Sequence, residues 1–464
     1  MINNIYLKNS EYKYYNINEK HIFINYHTGD WIKINDSAYD FYIKIDGTKS
    51  ISEIFNDLSK EFALSVDIIH NLYKSTIDNL IKSSLITDST KSINEMFDNK
   101  EELEFPKKIW IHVNDVCNLS CSFCYSNVSC ENNGYKDLDY NRVVKFLQEI
   151  PQENRKEIVI SGGEPFLYKY LENLTIELKH YLKFEEVTII TNGTVNHENY
   201  ERILPNIDIL QISLDGTSSD LNDKLRGKGS FNNTIQGIYK ANNLGLSNLA
   251  LKVSVTLTKD NIEDLPNYPK FAYENNIEHI HINKIVYVGK AINFYQRPTF
   301  EEYSAVYTEF LSNLKIYNTE ILYQRAALEV GKEKRRPFIK ATSSYDISSK
   351  LYVSGKLSSC GMGTTQISIN NNGTIYPCPS LHLDEFNIGT LDDNINDVMA
   401  KGLEFNNANN VDSIDNDCYK CEYKYFCGGG CCAEALRKTD KNLIYSDCSN
   451  YEKQILDSIE KFAI

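Results

Sequence analysis

The chain has 464 residues, of which 42% are hydrophobic and 24% charged, with a formal net charge of −14 at pH 7. That length exceeds what one hydrophobic core can organise, so two or three globular domains are expected. The acidic balance repels phosphate backbones, no run is long and apolar enough to span a bilayer, and the opening MINNIYLKNSEYKYY lacks the basic and apolar blocks of a secretory signal. These features exclude nucleic acid and membrane as partners and predict a cytoplasmic protein.

Residues 1–95 read as a small α+β unit. HIFINYHTGDWIKIN holds two β-rich runs around His27-Thr28-Gly29-Asp30, a hairpin signal. Asp36 or Ser37 is the expected cap of a short helix, AYDFYIKI. Ile51, Ile54, Phe55, Leu58 and Phe62 keep helical spacing, as do Ile69, Leu72, Ile77, Leu80 and Ile81. Strands followed by three helices predict a winged-helix-like module. A charged stretch at 96–106 reads as a linker.

From 107 to 300 strand and helix alternate. KKIWIHV, EIVIS, VTIIT, IDILQIS, LALKVSVTL and HIHINKIV are the strand candidates. Helical stretches between them predict an α/β fold with a parallel sheet, as an open or closed barrel of six βα units. Chemistry in such folds gathers at the C-terminal strand ends, where this chain places three cysteines, then SGGEP, TNG and SLDG. Residues 301–359 read as a charged helical bridge. Residues 360–464 are cysteine-rich and glycine-punctuated, and metal clusters would substitute there for a core.

Twelve cysteines in a reducing compartment are a poor disulfide framework and a good metal-binding set. Four lie between 117 and 130 and eight between 360 and 448. Cys117, Cys121 and Cys124 are spaced C-x3-C-x2-C. A structural zinc takes four protein ligands, and a [4Fe–4S] cluster has four iron corners. Three thiolates leave one iron open to a small molecule, unless Cys130 supplies a fourth.

This loop, CNLSCSFC after the first barrel strand, resembles the signature of the radical S-adenosylmethionine (AdoMet) enzymes. The resemblance implies a partial (β/α)6 barrel and AdoMet chelated to the open iron. An electron from the cluster would cleave its sulfonium bond to a 5′-deoxyadenosyl radical that takes a hydrogen atom from substrate. It also implies that Gly162, Gly163 and Glu164 of SGGEP meet the AdoMet amino group, and that Ser213 in QISLDG and Arg226 in KLRGKGSF bind the ribose and carboxylate. Phe123 and Val286, the latter at the end of the sixth strand, would lie near adenine. Without that resemblance, SGGEP is an ordinary turn, and Ser213 and Arg226 are a strand-end cap and a surface ion pair.

Cys360 and Cys378 bracket GMGTTQISINNNGTIYP, and Cys418, Cys421, Cys427 and Cys431 give C-x2-C-x5-C-x3-C, with Cys448 downstream. A double zinc ribbon would also use such pairs. The set resembles the SPASM domain, which carries auxiliary iron–sulfur clusters. By that pattern Cys418, Cys421, Cys427 and Cys448 hold one cluster, and Cys360, Cys378 and Cys431 hold the other, for three [4Fe–4S] clusters in all. No cysteine lies between 131 and 359. The first auxiliary cluster is therefore expected to have an open iron, or one ligated by a carboxylate, histidine or water. Cys432 has no assigned role. Sulfatase maturases of the SPASM branch place an aspartate base after the second SPASM cysteine; here that residue is Pro379, which cannot take a proton.

The front module resembles the PqqD-like leader-recognition domain of peptide-modifying enzymes, in which an extended leader adds a strand to a sheet edge. Together the resemblances imply a maturase of a ribosomally synthesised peptide that bonds a cysteine sulfur to a peptide carbon, with flavodoxin or ferredoxin as electron donor. Three alternatives stay open: a carbon–carbon crosslink, a radical AdoMet dehydrogenase acting on a protein or small molecule, and a non-enzymatic iron–sulfur regulator.

Overall fold

The computed structural model describes residues 4–10, 12–17, 19–25, 31–88, 105–126, 137–293, 296–327, 336–344, 361–409, 413 and 430–436. In the front unit β2 (Tyr12–Ile17), β3 (Lys20–Asn25) and β4 (Trp31–Ile34) form an antiparallel sheet. β1 (Tyr6–Lys8) and β5 (Ile86–Asp88) pair separately and tie the start of the unit to its end. The expected hairpin is present as the β3–β4 pair, and its turn, His27 to Asp30, lies outside the described residues.

Three helices follow: α1 (Asp36–Ile43), α2 (Ile51–Phe62) and α3 (Val66–Lys82). The cap of α1 is Asn35, not Asp36 or Ser37. Its extended backbone lets the side-chain oxygen accept from Ala38 N–H at 2.8 Å, which leaves Asp36 in the first turn, where a negative charge suits the helix dipole. Ser50 and Glu53 close a capping box on α2. Ile51, Ile54, Phe55 and Leu58 are buried, but Phe62, the last residue of the helix, is 50% exposed. On α3 the buried stripe runs Ile69, Tyr73, Ile77, Leu80; Leu72 lies one residue off it and is 59% exposed. These residues make a core of their own.

The second sheet has ten strands. β6 (Lys108–His112), β7 (Glu157–Ser161), β8 (Glu186–Thr191), β9 (Ile209–Ser213), β10 (Ala250–Leu257) and β11 (His279–Lys284) are the six expected strands, parallel and adjacent in chain order. Ile109, Ile111 and Val113 pack with Val143, Phe146 and Leu147 of helix Tyr140–Gln148, so one sheet face meets the helices. The alternate residues Lys108, Trp110 and His112 point to the other face, the inside of the partial barrel.

Two additions extend the expected barrel. β12 (Lys340–Ser343), within the segment read as a helical bridge, pairs in parallel with β11. β13 (Gln366–Ile369), from the cysteine-rich region, pairs in parallel with β6, and β14 (Thr374–Tyr376) and β15 (Gly389–Thr390) continue antiparallel. Both edges of the six-stranded core are thereby hydrogen-bonded rather than left open. The bridge segment is otherwise the long helix Phe300–Ala327. Among the described residues no helix is long and apolar enough to cross a membrane.

Candidate functional site

β6 and β7 end side by side, and the chain beyond them is stitched strand to strand. Val113 N–H donates to Ser161 C=O at 2.9 Å, Gly163 N–H to Asn114 C=O at 3.0 Å, and Glu164 N–H to Val116 C=O at 2.8 Å. The Asn114 side chain returns the contact by donating to Glu164 C=O at 2.9 Å. A Cβ on Gly163 would stand 2.0 Å from Val116 O, so glycine is what lets SGGEP press against the segment entering Cys117.

Glu164 is fully buried. Its carboxylate accepts from Thr191 Oγ1 at 2.7 Å, Asn192 N–H at 2.9 Å and Phe166 N–H at 3.1 Å. Burial pushes its pKa up, against these donors and the Arg226 charge, which pull it down. The side chain thus fastens the end of β7 to the end of β8, with most of its acceptor capacity already used.

Cys117 is buried, and Cys121 and Cys124 are half-buried. Cys117 Sγ accepts from Leu119 N–H at 3.4 Å and from Asn192 Nδ2 at 3.7 Å. Burial pushes the Cys117 thiol up to about 12, and Glu164, Cys121 and Cys124 add to the rise. Burial also raises Cys121, opposed by the Arg226 guanidinium. The three thiols therefore feel one another. Yet among the described residues no three sulfur, imidazole or carboxylate side chains converge to chelate one metal ion. Three thiols on one loop, with N–H groups aimed at the Cys117 sulfur, are a donor set that fits a [4Fe–4S] cluster.

Of the other expected residues, Arg226 lies against this loop, and Ser213 and Val286 stand at the end of β9 and after β11. Arg226 is no surface ion pair. Its Nε donates to Asp215 Oδ2 at 2.5 Å, with the side chains 12% and 0% exposed. Asp215 Oδ1 also accepts from Thr256 N–H at 2.7 Å. The guanidinium sits 5.9 Å from the centre of the Phe123 ring. Phe123 packs with Leu225, Ile285 and Ala291. Ser213 ends β9 in register with Ser254. Val286 is half-buried in the turn after β11. That turn crosses the cysteine loop: Lys290 N–H donates to Cys124 C=O at 3.0 Å, and a Cβ on Gly289 would lie 2.4 Å from Cys124 O. Asp215 and Asn192 carry no role in the sequence reading, although SLDG and TNG stand out there. Nothing in their spacing says that one pairs with Arg226 and the other reaches a cysteine sulfur.

Of the C-terminal cysteines, Cys378 and Cys431 are described, and both pack on one small apolar cluster of Met362, Tyr376, Leu381 and Phe386. Cys360, Cys418, Cys421, Cys427 and Cys448 lie outside the described residues, as does Cys130. Cys432 is buried in the same cluster, its thiol 3.9 Å from Asn409 O. Tyr125 stands between the two cysteine regions. Burial raises its phenol pKa, and the Cys124 and Cys378 thiols add to the rise. Its hydroxyl lies 3.4 Å from His112 Nε2, and the His112 ring lies 4.5 Å from that of His382.

Comparison with known proteins agrees with this geometry. Residues 111–272 match the family model of the Radical SAM superfamily. The AdoMet-dependent heme synthase of Oleidesulfovibrio alaskensis is 24% identical over 72% of this chain and 85% of its own. The cysteine-type anaerobic sulfatase-maturating enzyme of Clostridium perfringens is 26% identical over 73% of this chain and 92% of its own. Crystal structures of Streptococcus suis SuiB, bound to S-adenosylmethionine or to precursor peptide SuiA, superpose with a TM-score of 0.54 at 18% identity. They cover 93% of this chain and 96% and 97% of SuiB respectively, and establish a shared fold. The match spans the three-cysteine loop, the SGGEP turn and the Asp215–Arg226 pair, and residues 111–272 are therefore a radical SAM domain.

Proposed function

We propose that this chain is a radical AdoMet maturase that modifies a ribosomally synthesised peptide and forms a thioether between a cysteine sulfur and a peptide carbon. The observation that supports this reading is the joining of the two cysteine regions in one sheet: β13, which leads toward Cys378, pairs with β6, which delivers the three-cysteine loop, and the His112 ring at the end of β6 lies 4.5 Å from that of His382. A second cysteine site that close to the barrel mouth suits a reaction in which a substrate group is held next to the carbon that reacts. SuiB, whose fold the chain shares, binds a precursor peptide.

In this reading Cys117, Cys121 and Cys124 hold a [4Fe–4S] cluster, and Phe123, Gly162, Gly163, Ser213, Arg226 and Val286 surround AdoMet. When bound, these groups supply one-electron chemistry at an unactivated C–H bond. The chain contributes placement and exclusion of water. Arg226, oriented by Asp215, presents a fixed cation for the AdoMet carboxylate. Glu164 holds β7 against β8 so that the glycine turn keeps its shape. Cys360, Cys378 and Cys431 hold an auxiliary cluster with an open iron for a substrate thiolate, since soft sulfur suits iron. Cys418, Cys421, Cys427 and Cys448 hold the third cluster, and flavodoxin or ferredoxin supplies electrons. The leader pairs with an edge strand of the β2–β3–β4 sheet.

The test is to look for a short open reading frame beside the gene that encodes a cysteine-rich peptide, and to incubate that peptide anaerobically with the reconstituted full chain, AdoMet and reductant. Loss of two hydrogens per crosslink with thiols no longer alkylatable is the expected result. The same loss with alkylatable thiols assigns a carbon–carbon bond instead. An unmodified peptide with 5′-deoxyadenosine still produced points to a different substrate.

A further inference from the structure

The turn after β11 touches the three-cysteine loop along its length. Lys290 N–H donates to Cys124 C=O at 3.0 Å, Lys290 Nζ reaches Ser120 Oγ at 3.2 Å, and Ile285 and Ala291 pack on Phe123. Gly289, at φ +61, adopts a left-handed conformation against Cys124 and Tyr125, where a Cβ would collide with both carbonyl oxygens. The turn is held in place from outside the barrel. Arg297 donates from Nε and Nη2 to Ile285 C=O at 3.0 and 2.6 Å, and its guanidinium lies 4.7 Å from the Tyr287 ring centre. Glu434 accepts from Tyr287 N–H at 2.7 Å and from Arg297 Nη2. Both side chains are buried, 5% and 11% exposed.

Glu434 belongs to the other cysteine region. It lies in the short helix Cys432–Leu436, and its own N–H donates to Cys431 C=O at 3.1 Å. A continuous chain of short contacts thus runs from Cys431 through Glu434, Arg297 and Tyr287 to residues 285–291, and on to Ser120, Phe123 and Cys124. A buried carboxylate and guanidinium that each also bond a backbone atom, Tyr287 N–H and Ile285 C=O, resist rotation and translation alike.

We infer that Glu434 is a positioning residue for the radical site: with Arg297 it locks the turn after β11 onto the Cys117–Cys124 loop, so order at Cys431 and order at the AdoMet cluster are coupled. The coupling is reciprocal, as linkage requires: whatever fixes the Cys431 segment tightens the AdoMet site, and AdoMet in turn stiffens the Cys431 segment. The inference rests on the reading of both cysteine regions as cluster sites, but needs no particular peptide.

The experiment compares wild type with Glu434→Ala and Glu434→Gln, using the full chain reconstituted with iron and sulfide. Glu434→Ala is expected to speed amide exchange at 119–125 and 288–291 about tenfold, with helix Tyr140–Gln148 and the front unit unchanged. The AdoMet dissociation constant, by equilibrium dialysis, should rise about tenfold in step. Glu434→Gln keeps an acceptor for Tyr287 N–H and for Arg297, and should stay within about threefold of wild type. Glu434→Ala leaves a buried guanidinium unpaired and can open the whole fold. The double variant Arg297→Met, Glu434→Leu removes the lock without that charge and should show the same local pattern. Exchange that rises only at 430–436, or a dissociation constant that does not move in the double variant, overturns the inference. Peptide modification enters neither readout, so variants that show this pattern beside a wild type that modifies no peptide remove the proposed substrate and leave the coupling standing.

Discussion

His112 closes β6 with 4% of its surface exposed, and burial pushes its imidazole down to about 4, against 6.5 for the free side chain. It is neutral in the folded chain near pH 7 and accepts the Tyr125 hydroxyl proton at Nε2 or donates from it, according to tautomer. Because the unfolded chain binds this proton more readily, its contribution is intact above pH 6.5 and is lost as pH falls through 6.5 toward 4. The slope is about 1.4 kcal/mol per pH unit in that window. His279 and His281 are lowered in the same direction, by burial first and by Lys252 second. His112→Gln keeps a polar group for Tyr125 but cannot titrate. Denaturant unfolding at pH 7 and pH 5 should show wild type losing about 2 kcal/mol more than His112→Gln, while His279 and His281 cancel in the difference. Equal losses would mean that His112 is not the buried base described. At this scale the sequence is generous with cysteines and silent on their supports. C-x3-C-x2-C announces itself because a loop must deliver three thiols locally. Asn192 reaches Cys117 only through the β6–β7–β8 register, and Asp215 meets Arg226 only because the helix Ser219–Arg226 folds back over the end of β9.

Among elements, the six central strands are legible because apolar and β-branched residues dominate them, as near-continuous runs in β7 and β8 and in strict alternation with polar residues in β11. The flanking strands are not. KATS is polar and mostly exposed, and QISI sits in a region whose cysteines suggested metal in place of a core. Both earn their place by covering an edge, which no local pattern encodes. Helical spacing alone likewise misplaced Phe62 and Leu72, because apolar residues one position off the buried stripe look the same in sequence. The contact between the β7 end and the cysteine loop makes the sharper demand. Val116 O, a backbone atom, stands where a Gly163 Cβ would go, so no side chain can swing aside. Gly163→Ala must push the two segments apart. The expected cost is ~1–3 kcal/mol of stability, read as a lower denaturant midpoint, with reduced iron retained at the Cys117 loop. An unchanged midpoint would show that the seam is pliable.

For the whole molecule, the division of cores decides what can be removed. The front unit has its own buried set, from Tyr6 to Ile86, distinct from the set that runs from Ile109 to Met399. The C-terminal strands, by contrast, belong to the large sheet: β13 covers β6 by pairing Gln366 with Lys108 and Ile369 with Ile111, and Ile367, Ile369 and Ile375 are part of the barrel's core. Deleting 360–464 would strip the β6 edge of its partner and expose that core, whereas deleting 1–104 breaks no strand pair of the ten-stranded sheet. A chain of residues 105–464 is therefore expected to stay monodisperse and to bind AdoMet within about threefold of the full chain, because its cysteine loop and the turn after β11 are untouched. Its affinity for a leader peptide should fall at least about a hundredfold, since the edge strands that would receive it are gone. A chain of residues 1–359 should aggregate. Sedimentation velocity, equilibrium dialysis with AdoMet and fluorescence anisotropy of a labelled leader separate these outcomes. Leader binding that survives loss of the front unit would move peptide recognition into the barrel mouth, between the two cysteine regions that Tyr125 joins.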